Sequence, residues 1–200
     1  SRALDLGCAV GRTTFDLSRT FSKVTGLDFS QAFIDAANVL KSNGRLDYQR
    51  LETGQFSTPM VASVADEIDR DKTDFVVGDA MDLADIPALA ENGPYDAILL
   101  SNLMCRLTTP AACLTQFTAD DTYIGKGGIL VFASPNTWME QYTDPDLFLD
   151  GGSSEETLAK LGSLLPGFTQ MHEEDLPFMI REHRRKYEYI VSQVSVWRKD

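Results

Sequence analysis

Apolar and polar positions along the chain fall into short blocks that alternate between two periods. "RALDLG" is an apolar run entering a glycine-bearing turn, which reads as a buried strand. "RTTFDLSRTF" behind it reads as a helix, with Phe15 and Phe21 among its inward positions. "KVTGLDFS" is a second strand, after which Ser30 caps a helix running to about Ser42, with Gly44 as its stop. Phe29 before that cap and Ile34 beyond it form a candidate hydrophobic staple. Residues 45–74 exceed an ordinary connection and read as an insertion. Within it, "LDYQRLETGQFSTP" suits a small hairpin and "MVASVADEIDRD" a short helix.

"DFVVGDA" is a third strand and "YDAILLSN" a fourth. Thr109 followed by Pro110 starts a helix, because proline is tolerated at the first helical position. "GKGG" then turns the chain into a fifth strand, "ILVFASP". Ser153 or Ser154, with Glu155 and Glu156 in the first turn, opens a helix carrying Leu158, Leu161 and Leu165; Pro166 and Gly167 end it. "FTQMHEEDL" and "KYEYIVSQVSVW" follow without a helix between them, so they are expected to be antiparallel neighbours. Strand and helix alternate through five strands, which predicts an α/β fold with a mainly parallel sheet.

Composition narrows the function classes. Two hundred residues, 43% of them apolar, suit one domain with a sizeable core. The formal net charge is −12, which sets the chain against nucleic acid as its main partner. The longest apolar runs fall far short of the ~20 residues that span a bilayer, and no signal peptide is read at the N-terminus. Cys8, Cys105 and Cys113 are an odd count without paired spacing, which suits a reducing cytoplasm. With only His172 and His183 beside them, no metal site is expected. The abrupt start at "SRALDLG" reads as a fragment lacking elements before the first strand. One basic cluster stands out in "MIREHRRKYEY", where Arg181, expected near the end of the fifth strand, offers a planar fork suited to a carboxylate. At least two of Arg184, Arg185 and Lys186 read better as a solvated turn.

In "DLGCAVG", Asp5, Gly7 and Gly11 bracket a tight strand-to-helix turn. Glycine there lets the backbone approach a ligand, and the helix N-terminus beyond favours an anionic group. A dinucleotide fingerprint would read G-x-G-x-x-G, but Ala9 and Arg12 break it, which argues against a dehydrogenase. Asp28 closes the second strand, where a carboxylate can accept from both ribose hydroxyls. Asp79 after the third strand is placed to meet an adenine amino group. Jointly, at the carboxyl ends of three successive strands, these residues point to a nucleoside ligand.

Asp5-x-Gly7-x-x-x-Gly11, Asp28 and Gly78-Asp79 resemble the class I S-adenosylmethionine (SAM)-dependent methyltransferases. Ala9 departs from the family's frequent middle glycine. The resemblance implies a Rossmann-like, seven-stranded sheet with helices on both faces and its last strand antiparallel beside the fifth. It also implies SAM held by Asp5, Gly7, Cys8, Gly11, Arg12, Asp28, Phe29, Asp79, Ala80 and Ser101.

"SNLMCRLTTPAACL", "ASPNTWMEQYT" and "DLPFMIREHRRKYEYIVSQVSVW" resemble the methyltransferase domain of ovothiol biosynthesis, which is similar to the C-terminal part of the bifunctional 5-histidylcysteine sulfoxide synthase. The implied reaction is SAM-dependent methylation of an imidazole nitrogen of 5-thiohistidine (4-mercaptohistidine in the other ring numbering), giving ovothiol A; the alternatives are methylation of another small metabolite and a non-catalytic SAM-binding module. The implied partner is a fused sulfoxide synthase domain. His183 and Asn136 depart from the expected pattern. Asn102, Trp138 and Glu140 are then the catalytic candidates, and Asn102, Arg106, Asn136, Trp138, Arg181 and Glu182 the substrate-binding ones. On spacing alone, Asn102 reads equally as a turn cap, and Trp138 more readily as core packing. Cys105 reads as a small buried residue rather than a nucleophile. "SNLM" stands where a DNA methyltransferase would carry Asp/Asn-Pro-Pro-aromatic.

Overall fold

A computed structural model describes residues 1–200. In chain order the elements are β1 (Arg2–Leu6), α1 (Arg12–Leu17), β2 (Lys23–Asp28), α2 (Gln31–Asn43), β3 (Arg45–Thr53), β4 (Phe56–Ser63) and β5 (Thr73–Val77). They continue with α3 (Pro87–Asn92), β6 (Tyr95–Ser101), α4 (Pro110–Thr118), β7 (Ile124–Ser134), α5 (Ser154–Ser163), β8 (Phe168–His183) and β9 (Lys186–Lys199). Seven strands form one sheet in the order β5-β2-β1-β6-β7-β9-β8, while β3 and β4 pair as a separate antiparallel hairpin. The strands from β5 to β7 are parallel, and β9 runs antiparallel to both β7 and β8. This is the Rossmann-like order expected above, with the last strand inserted beside the fifth strand of the parallel set.

The chain steps from β1 outward to β2 and β5, then returns to the other side of β1 with β6. That reversal opens a crevice at the carboxyl ends of β1 and β6, the place where open α/β sheets bind ligands. Its floor is rigid. Leu4, Leu6, Ile98, Leu100 and Leu130 are fully buried, and α4 seals one face with Leu114 and Phe117. On that face α5 covers Trp197 with Leu158 and Leu161. Truncating a fully buried aromatic such as Phe117 to alanine would cost about 3–5 kcal/mol.

Several elements depart from the sequence pattern for identifiable reasons. The expected hairpin forms, but residues 60–69 are not helical, with only a 3₁₀ turn at Arg70–Lys72: Phe56–Ser63 is strand β4, paired with β3. Met60, Ala62 and Val64 alternate inward with Val61 and Ser63 outward, a period of two, and Ala62 and Val64 pack on Phe15, Leu40 and Ile68. The staple does not form, since Phe29 is 78% exposed while Ile34 is buried. Helix α1 stops at Leu17, where the Ser18 hydroxyl donates to the Phe15 carbonyl at 2.7 Å and tightens the last turn. "GKGG" lies inside β7 as a bulge, because Tyr95 pairs with Ile124 and Ala97 with Ile129. The final two strands run on far past the residues expected, turning at Arg184 and Arg185. No helix is long and apolar enough to cross a membrane.

Candidate cofactor and acceptor site

The turn after β1 is built from three alternating left-handed residues, Gly7 (φ +76), Ala9 (φ +47) and Gly11 (φ +88). Gly7 and Cys8 both donate their amides to the Leu27 carbonyl at 2.8 and 3.0 Å, which pins the turn to the end of β2. The Ala9 amide donates to Asp28 Oδ2 at 2.9 Å, and the Ser30 amide to Oδ1 at 2.9 Å. Asp28 therefore ties the turn to the start of α2. Gly11 is required by space as well as by φ, because a Cβ there would lie 2.6 Å from the Phe75 ring. Ala9 takes the left-handed conformation that a glycine would hold without strain, at a cost of about 1–2 kcal/mol.

Asp5 and Cys8 sit beneath this turn rather than in the open. Asp5 is 2% exposed and accepts from the Thr14 hydroxyl at 2.7 Å. Burial raises its pKa to about 6, against the lowering effect of Thr14, and the nearby Asp28 adds a little. Burial likewise pushes the Cys8 thiol well above its ordinary range, so it is a packing residue and not a nucleophile.

Above the turn lies a cleft of about 780 Å³. One wall is Asp28, Phe29 and Phe33 from the β2–α2 corner; the next is Gly78, Asp79, Ala80 and Met81 after β5. Asp79 Oδ1 accepts from the Met81 amide at 2.8 Å, and Gln116 on α4 clamps the same loop. Its Nε2 donates to the Ala80 carbonyl at 2.9 Å while its Oε1 accepts from the Leu83 amide at 2.7 Å. The third wall runs from Ser101 through Asn102 and Leu103 to Arg106 and Thr108, closed by Tyr142. Asn102 has φ +54 and donates its amide to the Ala133 carbonyl at 2.7 Å. The Arg106 guanidinium lies 5.2 Å from the centroid of the Tyr142 ring and donates to the Thr137 carbonyl at 2.8 Å. The sequence reading missed Phe33, Met81, Thr108, Gln116 and Tyr142. A glutamine inside a helix and a tyrosine in a long loop carry no local signal of what they face.

The family profile described as "Methyltransferase domain" matches residues 4–120, more than half of the chain. The chain belongs to the methyltransferase-domain family. A SAM-dependent methyltransferase from Methanosarcina mazei has a similar structure, at TM-score 0.62 and 14% identity, covering 99% of this chain and 92% of that one. The N-methyltransferase NodS from Bradyrhizobium japonicum WM9, solved with S-adenosyl-L-homocysteine, matches at TM-score 0.58 and 14% identity, covering 100% and 78%. A structure solved for the conversion of a disulfide bond into a thioacetal group during echinomycin biosynthesis matches at TM-score 0.63 and 16% identity, covering 100% and 76%. A search of curated proteins finds no relative by sequence.

The cofactor of this methyltransferase is SAM, and the cleft fits it. A Cβ on Gly7 would approach Leu103 Cδ1 to 3.0 Å, so the bare backbone keeps the turn clear of the third wall. Two carboxylates, Asp28 and Asp79, stand in the lining on the side away from Arg106, the only cation there. That donor and acceptor set suits a nucleoside on one side and an anionic group on the other.

Of the residues expected in the site, Gly7, Asp28, Phe29, Asp79, Ala80, Ser101, Asn102 and Arg106 line the cleft. The others are placed elsewhere. Gly11 caps α1 from below, and Arg12 points to solvent, paired with Asp16 at 3.3 Å. Asn136 donates to Gln193 at 3.2 Å on β9. Trp138 stacks on Phe148, ring centroids 5.3 Å apart, and Glu140 is exposed. Arg181 does not stand at the end of β7: Ser134 ends that strand opposite Gln193, and Arg181 pairs with Tyr187, roughly 20 Å further along β9. There its guanidinium lies 5.9 Å from the Tyr187 ring centroid, and Glu182 pairs with Lys186 at 2.7 Å.

Proposed function

We propose that this methyltransferase transfers the SAM methyl group directly to an imidazole nitrogen of 5-thiohistidine. The observation that carries the reading is the third wall of the cleft. The run from Asn102 to Leu107, which bears the resemblance to the ovothiol enzymes, supplies it, and Arg106 within it is the only lining cation. An amino-acid acceptor has a carboxylate to meet that cation. In this reading residues 1–200 act as one domain with an insertion at 45–74, joined in the whole protein to a sulfoxide synthase domain in the cytoplasm.

SAM supplies an already activated sulfonium methyl, so the chain has no covalent intermediate to form. Its own residues bind and orient. Asp28 accepts from the ribose hydroxyls, and Asp79 with the Ala80 backbone meets the adenine edge. Arg106 anchors the acceptor's carboxylate, and Asn102 sets the ring so that the attacking nitrogen keeps its lone pair free. Holding the two reactants in line accounts for about 7–11 kcal/mol of barrier lowering in well-oriented cases. Trp138, Glu140, Arg181 and Glu182 have no contact assigned in this scheme.

The test is mass spectrometry of the full-length protein with SAM and 5-thiohistidine, with histidine as control. A one-methyl mass gain on thiohistidine alone supports the reading. No product, with SAM binding intact by calorimetry, removes this acceptor and leaves the family standing.

A further inference from the structure

Asn102 and Asn136 stand at the carboxyl ends of the neighbouring strands β6 and β7, and both hold left-handed backbone, φ +54 and φ +51. Asparagine tolerates this region better than other side chains, so neither position is occupied by chance geometry alone. Consecutive residues of β9 tether them. The Ser192 hydroxyl donates to Asn102 Oδ1 at 3.1 Å, and Asn136 Nδ2 donates to Gln193 Oε1 at 3.2 Å. Successive side chains of a strand face opposite sides of the sheet, so one antiparallel strand serves both asparagines.

The two tethers differ in what lies behind them. Gln193 continues to the Ser154 carbonyl at 3.1 Å and to Glu173 at 3.4 Å, binding Asn136 into the α5 side of the sheet. Ser192 is 1% exposed, and its hydroxyl makes its one hydrogen bond to Asn102. Only Asn102 of the pair lines the cleft.

We propose that Ser192 is a positioning residue, which fixes the Asn102 carboxamide with its carbonyl turned to β9 and its NH₂ turned to the acceptor. This rests on the reading of the cleft as the methyl-transfer site. With the carbonyl turned to β9, the group that Asn102 presents to the acceptor is its NH₂, a donor. The acceptor molecule must therefore offer an unprotonated atom at that point. That atom is a neighbour of the nucleophile and not the nucleophile itself, because a lone pair engaged by an N–H cannot attack the methyl carbon. A thiolate-like sulfur or the non-reacting ring nitrogen meets the requirement; a protonated amine does not.

The test is side-chain amide NMR of the isotope-labelled protein bound to S-adenosylhomocysteine, with the Asn102 signals assigned by their loss in Asn102→Asp. The expected result is a dispersed Asn102 NH₂ pair that collapses toward its free-solution position in Ser192→Ala. Ser192→Cys, close to isosteric and a weak donor, should behave alike and guards against a folding defect. Affinity for SAM should change less than about twofold in both variants, since Ser192 acts on the acceptor wall. Where thiohistidine is turned over, kcat should fall about tenfold, the scale of one lost hydrogen bond at a reacting site. An Asn102 amide pair unmoved by both variants overturns the proposal. This readout needs no acceptor, so a failure of the thiohistidine reading and a failure of the Ser192 assignment give different results.

Discussion

At the turn after β1, Asp5 lies buried against Thr14, and Asp28 ties two backbone amides together at the rim of the cleft. At the turn between β8 and β9, Arg181, Arg184, Arg185 and Lys186 are as dense a run of charge, and all four are exposed. Their contacts are of the surface kind, such as Lys186 to Glu182 and Arg181 over Tyr187. The one buried charge near that tip is Glu52 on β3, which accepts the Arg184 amide at 2.8 Å and joins the two hairpins. That amide, with help from Arg50, holds its pKa down at about 2. Charge density in the sequence is thus a poor guide to where charge matters. Burial and fixed hydrogen bonds separate a tuned carboxylate from a solvated one.

The comparison can be broken or sharpened by five substitutions. The largest effect is expected from Asp28→Ala, which releases two amides and the rim of the cleft; SAM affinity by calorimetry should fall about 100-fold, the scale of one to two charged hydrogen bonds. Next comes Asp5→Asn. Because the folded-state pKa is raised, the native protein holds this proton more tightly than the unfolded chain does. Stability is therefore lost as pH rises from about 4 through about 6, and the full penalty is present above that. Asparagine removes the penalty, so denaturant unfolding near neutral pH should show a gain of about 1–3 kcal/mol that vanishes below the unfolded-state pKa. An equal gain at both pH values would mean that the carboxylate is not desolvated.

Smaller again, Ala9→Gly relieves the left-handed strain at a residue that already makes its hydrogen bond to Asp28. Stability should rise by about 0.5–1 kcal/mol after the entropy cost of the added glycine, read from the shift in denaturation midpoint. At the other turn, Arg181→Ala should change stability by less than about 0.5 kcal/mol and leave the acceptor KM within about twofold. Arg106→Ala, by contrast, should raise that KM about 10- to 100-fold with SAM affinity kept. A large KM effect at Arg181 would mean that the β8–β9 hairpin bends onto the cleft in turnover.

The alternation of strands and helices determined the fold class from sequence alone, and the residues at three strand ends gave Gly7, Asp28 and Asp79 of the cleft lining. The reason is physical: a tight turn needs left-handed residues and a short reach to the next strand, both of which are local and leave a spacing in the chain. What only the tertiary structure decided is which distant residues share a surface. Arg106 and Tyr142 meet across a long loop, Ser192 reaches Asn102 across 90 positions, and Glu52 reaches Arg184 across 132. The hairpin was legible through Pro59, but the end of its second strand, residues 60–63, read as helix because its alternation is shallow and so short a stretch fits either period. Arg181 was misplaced for a related reason: sequence gives the pairing of two strands but not how far their hairpin runs past the sheet that supports it. That length is set by which neighbours stop first, and β7 stops at Ser134.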